Sequence, residues 1–336
     1  MSKTRRVAVF IPHAGCPHAC CFCDQRAISG QNHPPTPAQV RATLSAAADT
    51  LQAPAEIAFF GGSFTAVDAN YRRALLDVAG EFLTAGHFTG IRISTRPDAV
   101  DREILRELAG TGVTAIELGA QSMNDRVLNL AGRGHTTAQT AEAAKMIRES
   151  GFSLGLQMMT GLPGDDAETT LATARALANL TPDTIRIYPT LVLAGSGLTR
   201  EYTAGRYIPQ TLGEAVDLCA ELLKFFAGSG IKVIRLGLQQ ESTLMAKLVA
   251  GPHHPAFREL VEGKILLEQV TGIIRQKQIS PGRVEIEVAP GAVSKMAGQN
   301  RRNITALEKA GYNPRVTTNP MLNDLEIRVA HSTPRR

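Results

Sequence analysis

Four cysteines fall within eight residues, in the run Gly15-Cys16-Pro17-His18-Ala19-Cys20-Cys21-Phe22-Cys23-Asp24. Thiols crowded this closely suit a metal better than a disulfide framework. Three of them, Cys16, Cys20 and Cys23, have the spacing C-x3-C-x2-C, with which one tight loop can wrap three irons of a 4Fe–4S cubane. Such cubanes normally take four thiolates. Here the fourth iron lacks a nearby protein ligand and is left open to a small molecule. Cys21 is a bystander by this reading, because adjacent side chains point apart and Cys21-x-Cys23 is too tight. Zinc is the alternative: the same three cysteines with His13 or His18 would satisfy a Cys3His site. His18 reads better as a loop residue shaping the turn after Pro17 than as a ligand. The fifth cysteine, Cys219, lies in the helical apolar pattern Ala215–Leu223 and is expected to be a small core residue.

A loop of this kind needs a scaffold, and the rest of the chain supplies a repeating one. Apolar, strand-like runs occur at Val7–Pro12, Glu56–Phe60, Gly90–Thr95, Ala115–Leu118, Ser153–Met159, Thr184–Tyr188 and Ile231–Leu236. Amphipathic stretches separate them: Pro37–Leu51, Ala69–Leu83, Asp101–Ala109, Asp125–Leu130, Ala138–Ser150, Ala167–Leu180 and Leu212–Ala227. The proline opening the first suits the first turn of a helix. Strands alternating with helices imply βαβ units and a parallel sheet. Near-continuous apolar strands fit a sheet covered on both faces, or a barrel. The fold class is therefore α/β, a complete or partial (β/α) TIM-like barrel. Its informative residues sit just past the strands: Gly61-Gly62-Ser63, Thr95-Arg96-Pro97-Asp98, Gly119-Ala120-Gln121 and Gly161-Leu162-Pro163-Gly164. The C-terminal strand ends of such barrels carry the active site.

After about Leu238 the alternation breaks. A helix from Ala256 into the 260s, a strand at Arg283–Val288, a helix at about Ala292–Lys309 and a last strand at Leu325–Val329 predict a small α+β extension. The expected division is a core barrel over 1–240 and an extension over 241–336, the latter a candidate for substrate binding. Thr333-Pro334-Arg335-Arg336 reads as a frayed tail.

The 336-residue length fits one large domain, or one of about 200–250 residues with an appendage. With 43% hydrophobic and 20% charged residues the chain has an ordinary globular composition. No apolar run approaches the roughly 18–20 residues that span a bilayer. Val7–Pro12 is too short for a signal-peptide core. We expect a cytoplasmic protein with no membrane partner. Its net charge of +5 permits a polyanionic partner without requiring one.

The cysteine spacing, with the aromatic Phe22 before the last cysteine, resembles the signature of the radical S-adenosylmethionine (SAM) superfamily. That resemblance implies a 4Fe–4S cluster on Cys16, Cys20 and Cys23, with SAM chelated at the open iron and Phe22 near its adenine. Gly61 and Gly62 match the turn that holds the methionine amino group. Ser63 takes the place of the usual acid or threonine, so the backbone role carries over better than the side chain's. Ser94 matches a polar SAM contact, Gln121 a ribose contact, and Arg133 an arginine that pairs with the SAM carboxylate. Gln157 falls where related enzymes have an acidic ribose partner.

More narrowly, the chain resembles the radical SAM half of the Elongator catalytic subunit and its shorter bacterial relatives. The resemblance covers roughly residues 8–240. It rests on Gly15-Cys16-Pro17-His18, Phe60-Gly61-Gly62-Ser63-Phe64, Thr95-Arg96-Pro97-Asp98, Glu117-Leu118-Gly119-Ala120-Gln121-Ser122, Arg133-Gly134-His135-Thr136, Met158–Gly164, Ile187–Val192 and Gly205-Arg206-Tyr207. It implies reductive cleavage of SAM to methionine and a 5′-deoxyadenosyl radical, with RNA, tRNA first, as substrate. The electron would come from a donor such as flavodoxin or ferredoxin. The acetyltransferase domain of Elongator subunits does not fit in this length, so acetyl transfer is not carried over. The cofactor carries the radical chemistry, so no acid–base pair is nominated. Glu117 and Arg186 are expected to pair structurally.

Two other functions compete. A small molecule or tetrapyrrole could be the substrate, as in oxygen-independent coproporphyrinogen oxidase. That family normally has Gly-Gly-Gly-Thr-Pro where this chain has Phe60-Gly61-Gly62-Ser63-Phe64. A non-enzymatic metal- or RNA-binding module is the third reading. In the extension, His253 and His254 between prolines read either as a substrate or metal contact or as a rigid loop. Lys295, Arg301, Arg302 and Lys309 on or near one helix, with Arg315 after it, read equally as a phosphate contact or as a solvated helical face.

Overall fold

The first strand, β1 (Arg6–Ile11), runs parallel to β2 (Ala55–Gly61), and the pattern continues through β3 (Phe88–Thr95), β4 (Val113–Gln121), β5 (Ser153–Thr160) and β6 (Thr184–Pro189). A two-residue strand, β7 (Val192–Leu193), precedes β8 (Lys232–Leu236), which pairs with β6. The result is an open seven-stranded parallel sheet in the order β1-β2-β3-β4-β5-β6-β8, a partial TIM-like barrel. This computed structural model describes residues 5–331 apart from 13, 17–19, 25–27, 32 and 239–241. His13 and His18, the two histidines of the zinc alternative, and the tail from Thr333 lie outside the described residues.

Helices cover the crossovers and begin where local chemistry starts them. Thr36 and Gln39 form a capping box ahead of Pro37–Ala48, and Thr136 and Gln139 form another ahead of Thr137–Glu149. Asp68, Asp101, Asn124 and Asp166 cap the helices Ala69–Thr84, Arg102–Leu108, Asp125–Leu130 and Ala167–Asn179. The short helices Gly197–Thr203 and Ser242–Lys247 and the strand β9 (Leu248–Ala250), which pairs with β7, have no counterpart in the sequence reading.

The chain packs as two compact units, Met1–Thr211 with Phe225–His253, and Leu212–Lys224 with His254–Arg336. The second unit holds the three-stranded sheet β11-β10-β12, made of β10 (Gly282–Val288), β11 (Tyr312–Thr318) and β12 (Ile327–His331). Its core joins Leu266, Val270 and Ile274 of the Phe257–Gln276 helix to Ile286 and Val288 of β10. Two features differ from the sequence reading. The helix expected over about 292–309 is two helices, Val293–Ala297 and Arg302–Lys309, because Asn300 and Arg301 turn left-handed between them. The basic residues predicted on or near one helix are thereby divided, and Lys295 is spent on Glu262 at 2.8 Å. Strand β11 was hidden by Pro314, which a central strand rejects; β11 is an edge, where a missing N–H is tolerated. No helix among the described residues is long and apolar enough to cross a membrane.

Candidate active site

Strand alternation turns every second side chain of the barrel sheet inward. In the lower part of the sheet these are charged. Arg6 on β1 meets Glu56 on β2 at 2.8 Å, and Arg92 on β3 reaches Glu56 at 3.1 Å and Glu117 on β4 at 3.4 Å. Arg186 on β6 closes on Glu117 at 2.7 Å, so these two residues pair as the sequence suggested. Gly155 makes that last link possible. It lies on β5 between them, and a Cβ there would come within 2.8 Å of Glu117 Cγ.

Above this ladder, at the C-terminal strand ends, a cavity of about 290 Å³ opens. Of the residues nominated from the sequence, Cys16, Phe22, Cys23, Gly61, Gly62, Ser94, Gln121, Arg133 and Gln157 all stand on its wall. Cys20 and Ser63 do not. Ser63 is fully buried, its hydroxyl 2.7 Å from the Thr95 hydroxyl and accepting from the Arg96 amide. Its side chain ties the β2 and β3 strand ends together.

The cysteine loop is clamped by glycines. The Gly62 amide donates to Ile11 O at 2.7 Å and the Ser63 amide to Ala14 O at 3.0 Å. A Cβ on Gly62 would fall 2.0 Å from Ala14 O, and one on Gly15, itself at φ +70°, 2.3 Å from Ser63 O. The glycine pair thus leaves room for the backbone of the cysteine loop itself, in addition to facing the cavity. Cys21 is held from the other side: its amide donates to Ala131 O and its carbonyl accepts from the Leu198 amide at 2.7 Å. Its side chain packs with Phe22 against Val192, Leu198 and Tyr207, and burial pushes its thiol up to about 11.

The other three thiols are neighbours. Burial pushes Cys23 up to about 12, with Cys20 and Cys16 adding to the rise and Arg133 opposing it. Burial, and then Cys20, also raises Cys16, against the Ser63 amide, Arg96 and Arg133. A thiolate set in such a place needs cations, and two are at hand. Arg133 Nη1 lies 3.4 Å and Arg96 Nη1 3.9 Å from Cys20 Sγ. Arg133 also donates to Gly119 O, while its Nε is buried with no partner among the described residues. Among those residues no three His, Cys, Asp or Glu side chains are set for one metal ion. A cubane spreads its thiolates over separate irons, so the three thiols, the two guanidiniums and the orphaned Nε suit a cluster with an anionic ligand beside it.

Gln121 and Gln157 form one polar patch, joined at 3.2 Å. Gln121 holds φ +67°, a strained conformation for a residue with a side chain, worth about 1–3 kcal/mol. Gly119 stays bare beneath it: a Cβ there would crowd Gln121 Nε2 at 2.9 Å and Arg133 Nη2 at 3.1 Å. Sequence reasoning passed over Arg96 and Arg235 as site residues. The signal for Arg96 was its place after β3 with Asp98 two residues on, with which it pairs at 2.9 Å. Arg235, one of two cations with Lys232 in the strand β8, lines the cavity too.

Residues 10–177 match the radical SAM superfamily, and residues 182–266 match the radical SAM C-terminal domain. This chain belongs to the radical SAM superfamily. It is therefore an enzyme of a class whose cofactors are SAM and a 4Fe–4S cluster. It is 29% identical over 258 residues to a tRNA uridine(34) acetyltransferase of Dehalococcoides mccartyi, covering 66% of this chain and 56% of that one. It is 30% identical to Elongator complex protein 3 of Danio rerio, covering 61% of this chain and 40% of the relative. The radical SAM chain thus spans about half or less of these relatives' length. Among solved structures, the archaeal Elp3 of Methanocaldococcus infernus has the same fold, with a TM-score of 0.63 at 21% identity over 83% of this chain and 69% of that one.

Two further residues singled out in the sequence, Cys219 and His254, lie away from this cavity. Cys219 is fully buried, and burial pushes its thiol up to about 12. His254 Nδ1 accepts from the Ala256 amide, which makes it part of a turn.

Proposed function

We propose that Cys16, Cys20 and Cys23 hold a 4Fe–4S cluster, that SAM lies along the Gly61–Gly62, Ser94, Gln121, Arg133 and Gln157 wall, and that the substrate is RNA, tRNA first. Bound there, the two cofactors supply reductive cleavage of SAM and a 5′-deoxyadenosyl radical. The chain's own part is placement. Arg96 and Arg133 offset the charge of the thiolates, and the unpartnered Arg133 Nε is available to a carboxylate. The Gln121–Gln157 pair offers amides to a ribose. Phe10, Phe60, Leu191 and Leu193 line the same cavity with apolar surface that excludes water from a reactive radical.

The observation that carries this reading is that one cavity gathers loops following β1, β2, β3 and β4 onto the same wall as the cysteines. The RNA substrate is supported by the tRNA-directed relatives. The division into a core over 1–240 and a substrate-binding extension over 241–336 is part of the same proposal.

The test is 5′-deoxyadenosine formation by anaerobically reconstituted, dithionite-reduced protein with SAM, with and without bulk tRNA. A Cys16/Cys20/Cys23→Ala triple variant runs alongside. Formation by the wild type alone, increased by tRNA, is the expected result. Zinc in place of a reconstitutable cluster would overturn the proposal. Formation that tRNA leaves unchanged and a small molecule increases would move the substrate to that class.

A further inference from the structure

Among the described residues the barrel's charge ladder ends without a partner. Arg186 on β6 and Arg235 on β8 are register partners on adjacent parallel strands, and both stand on the cavity wall. Like charges side by side on a sheet repel unless something answers them. Arg186 is answered: Glu117 lies at 2.7 Å, the Tyr188 hydroxyl at 3.3 Å, and its guanidinium carbon sits 4.6 Å from the centre of the Phe60 ring. Arg235 is not. Its Nε donates to Gly237 O at 3.0 Å, and neither terminal nitrogen has a hydrogen-bond or ion-pair partner among the described residues.

The inward row carries four guanidiniums, on Arg6, Arg92, Arg186 and Arg235, against the two carboxylates of Glu56 and Glu117. Both carboxylates are already shared between cations. Arg235 is half-buried and lines a cavity whose wall includes Leu191, Leu193 and Leu238, where an unanswered charge is costly and water screens it poorly. A guanidinium presenting two unfilled N–H edges into a partly apolar cavity is shaped for a bidentate oxyanion.

We propose that Arg235 anchors a phosphate group of the substrate inside the barrel cavity, on the strand at the opposite edge of the sheet from the strand that leads into the cysteine loop. The identity of that group as a nucleotide phosphate rests on the RNA reading above; the anion subsite itself rests on the ladder alone. Phosphate from an RNA backbone and phosphate from a free nucleotide share this chemistry. Arg235 is a binding residue here and takes no part in SAM cleavage.

The experiment uses oxidised holoenzyme saturated with SAM, so that the SAM wall is filled and no turnover occurs. Calorimetric titrations with uridine, uridine 5′-monophosphate and inorganic pyrophosphate are run on the wild type, Arg235→Gln and Arg235→Lys, with Arg283→Gln as a control cation on the other sheet. We expect the monophosphate to bind at least tenfold more tightly than uridine to the wild type and the control. Arg235→Gln should lose that preference with uridine affinity unchanged, and Arg235→Lys should keep part of it. Equal affinity of the wild type for uridine and its monophosphate overturns the subsite without reference to any variant. So does a full phosphate preference in Arg235→Gln. Arg235-dependent pyrophosphate binding, with tRNA failing to raise 5′-deoxyadenosine, would keep the subsite and sink the RNA reading. Stimulation by tRNA with no Arg235-dependent phosphate binding would do the reverse.

Discussion

The two larger sheets among the described residues obey the same alternation and send their charges to opposite destinations. In the small sheet, Val284, Ile286 and Val288 of β10 are fully buried, while Glu285 faces out and meets Arg315 only at 3.9 Å. In the barrel sheet, Arg92 and Glu117 are about 5% exposed and bonded into a ladder that crosses the interior. A sheet with only one covered face gives its other side to water. A sheet curled on itself encloses that side, and every charge in it must find a partner or a ligand. The difference teaches where to look for chemistry: charge on a strand signals function when curvature denies it solvent.

The largest way to sharpen this contrast lies at the enclosed mouth. Each of Cys16→Ala, Cys20→Ala and Cys23→Ala should abolish the iron–sulfur absorbance and 5′-deoxyadenosine formation, whereas Cys21→Ser and Arg315→Ala should preserve both. Next comes the ladder. Glu117→Ala leaves Arg92 and Arg186 buried without their shared carboxylate and should cost about 3–5 kcal/mol in urea unfolding. A loss below about 1 kcal/mol would show that water already reaches the ladder. Gly155→Ala pushes a methyl group against Glu117 and should cost about 1–3 kcal/mol by the same measurement.

Acid gives a smaller effect. His135 is buried beside Arg133 and Arg96, and burial first, then those cations, pushes it down to about 4. The unfolded chain, with an ordinary value of about 6.5, binds the proton more readily, so folding stability should fall as pH drops from about 6.5 toward 4. Thermal melting of cluster-free protein should show this loss, and His135→Gln should remove part of it. The smallest effect belongs to the open sheet: Glu285→Ala should change stability by no more than about 0.5 kcal/mol. A larger change would mean that its polar face is covered.

The cysteine loop, the glycine pair and the alternation of strands and helices were legible because each is written in a few consecutive residues. Gln121 and Gln157 came instead from the resemblance to the radical SAM pattern, position by position. Ser63 shows the limit of that approach. Its neighbours face the cavity, but its hydroxyl turns to Thr95, a partner 32 residues away. Arg96 and Cys20 are further apart still and meet only through the fold. The break at Asn300–Arg301 was illegible for a different reason: residues other than glycine adopt left-handed backbone only when their surroundings hold them there.

By itself the sequence determined the class of chemistry, because metal ligation and SAM-type motifs depend on residue type and short spacing. It also determined a parallel α/β scaffold, because hydrophobic periodicity is local. The tertiary structure decided which charges are answered. Glu117 reaches Arg186 across a bare Gly155, and Arg235 is left beside Arg186 with two N–H edges unanswered among the described residues. That outcome depends on strand register and on the curvature of the sheet, and neither is encoded in any single stretch of the chain.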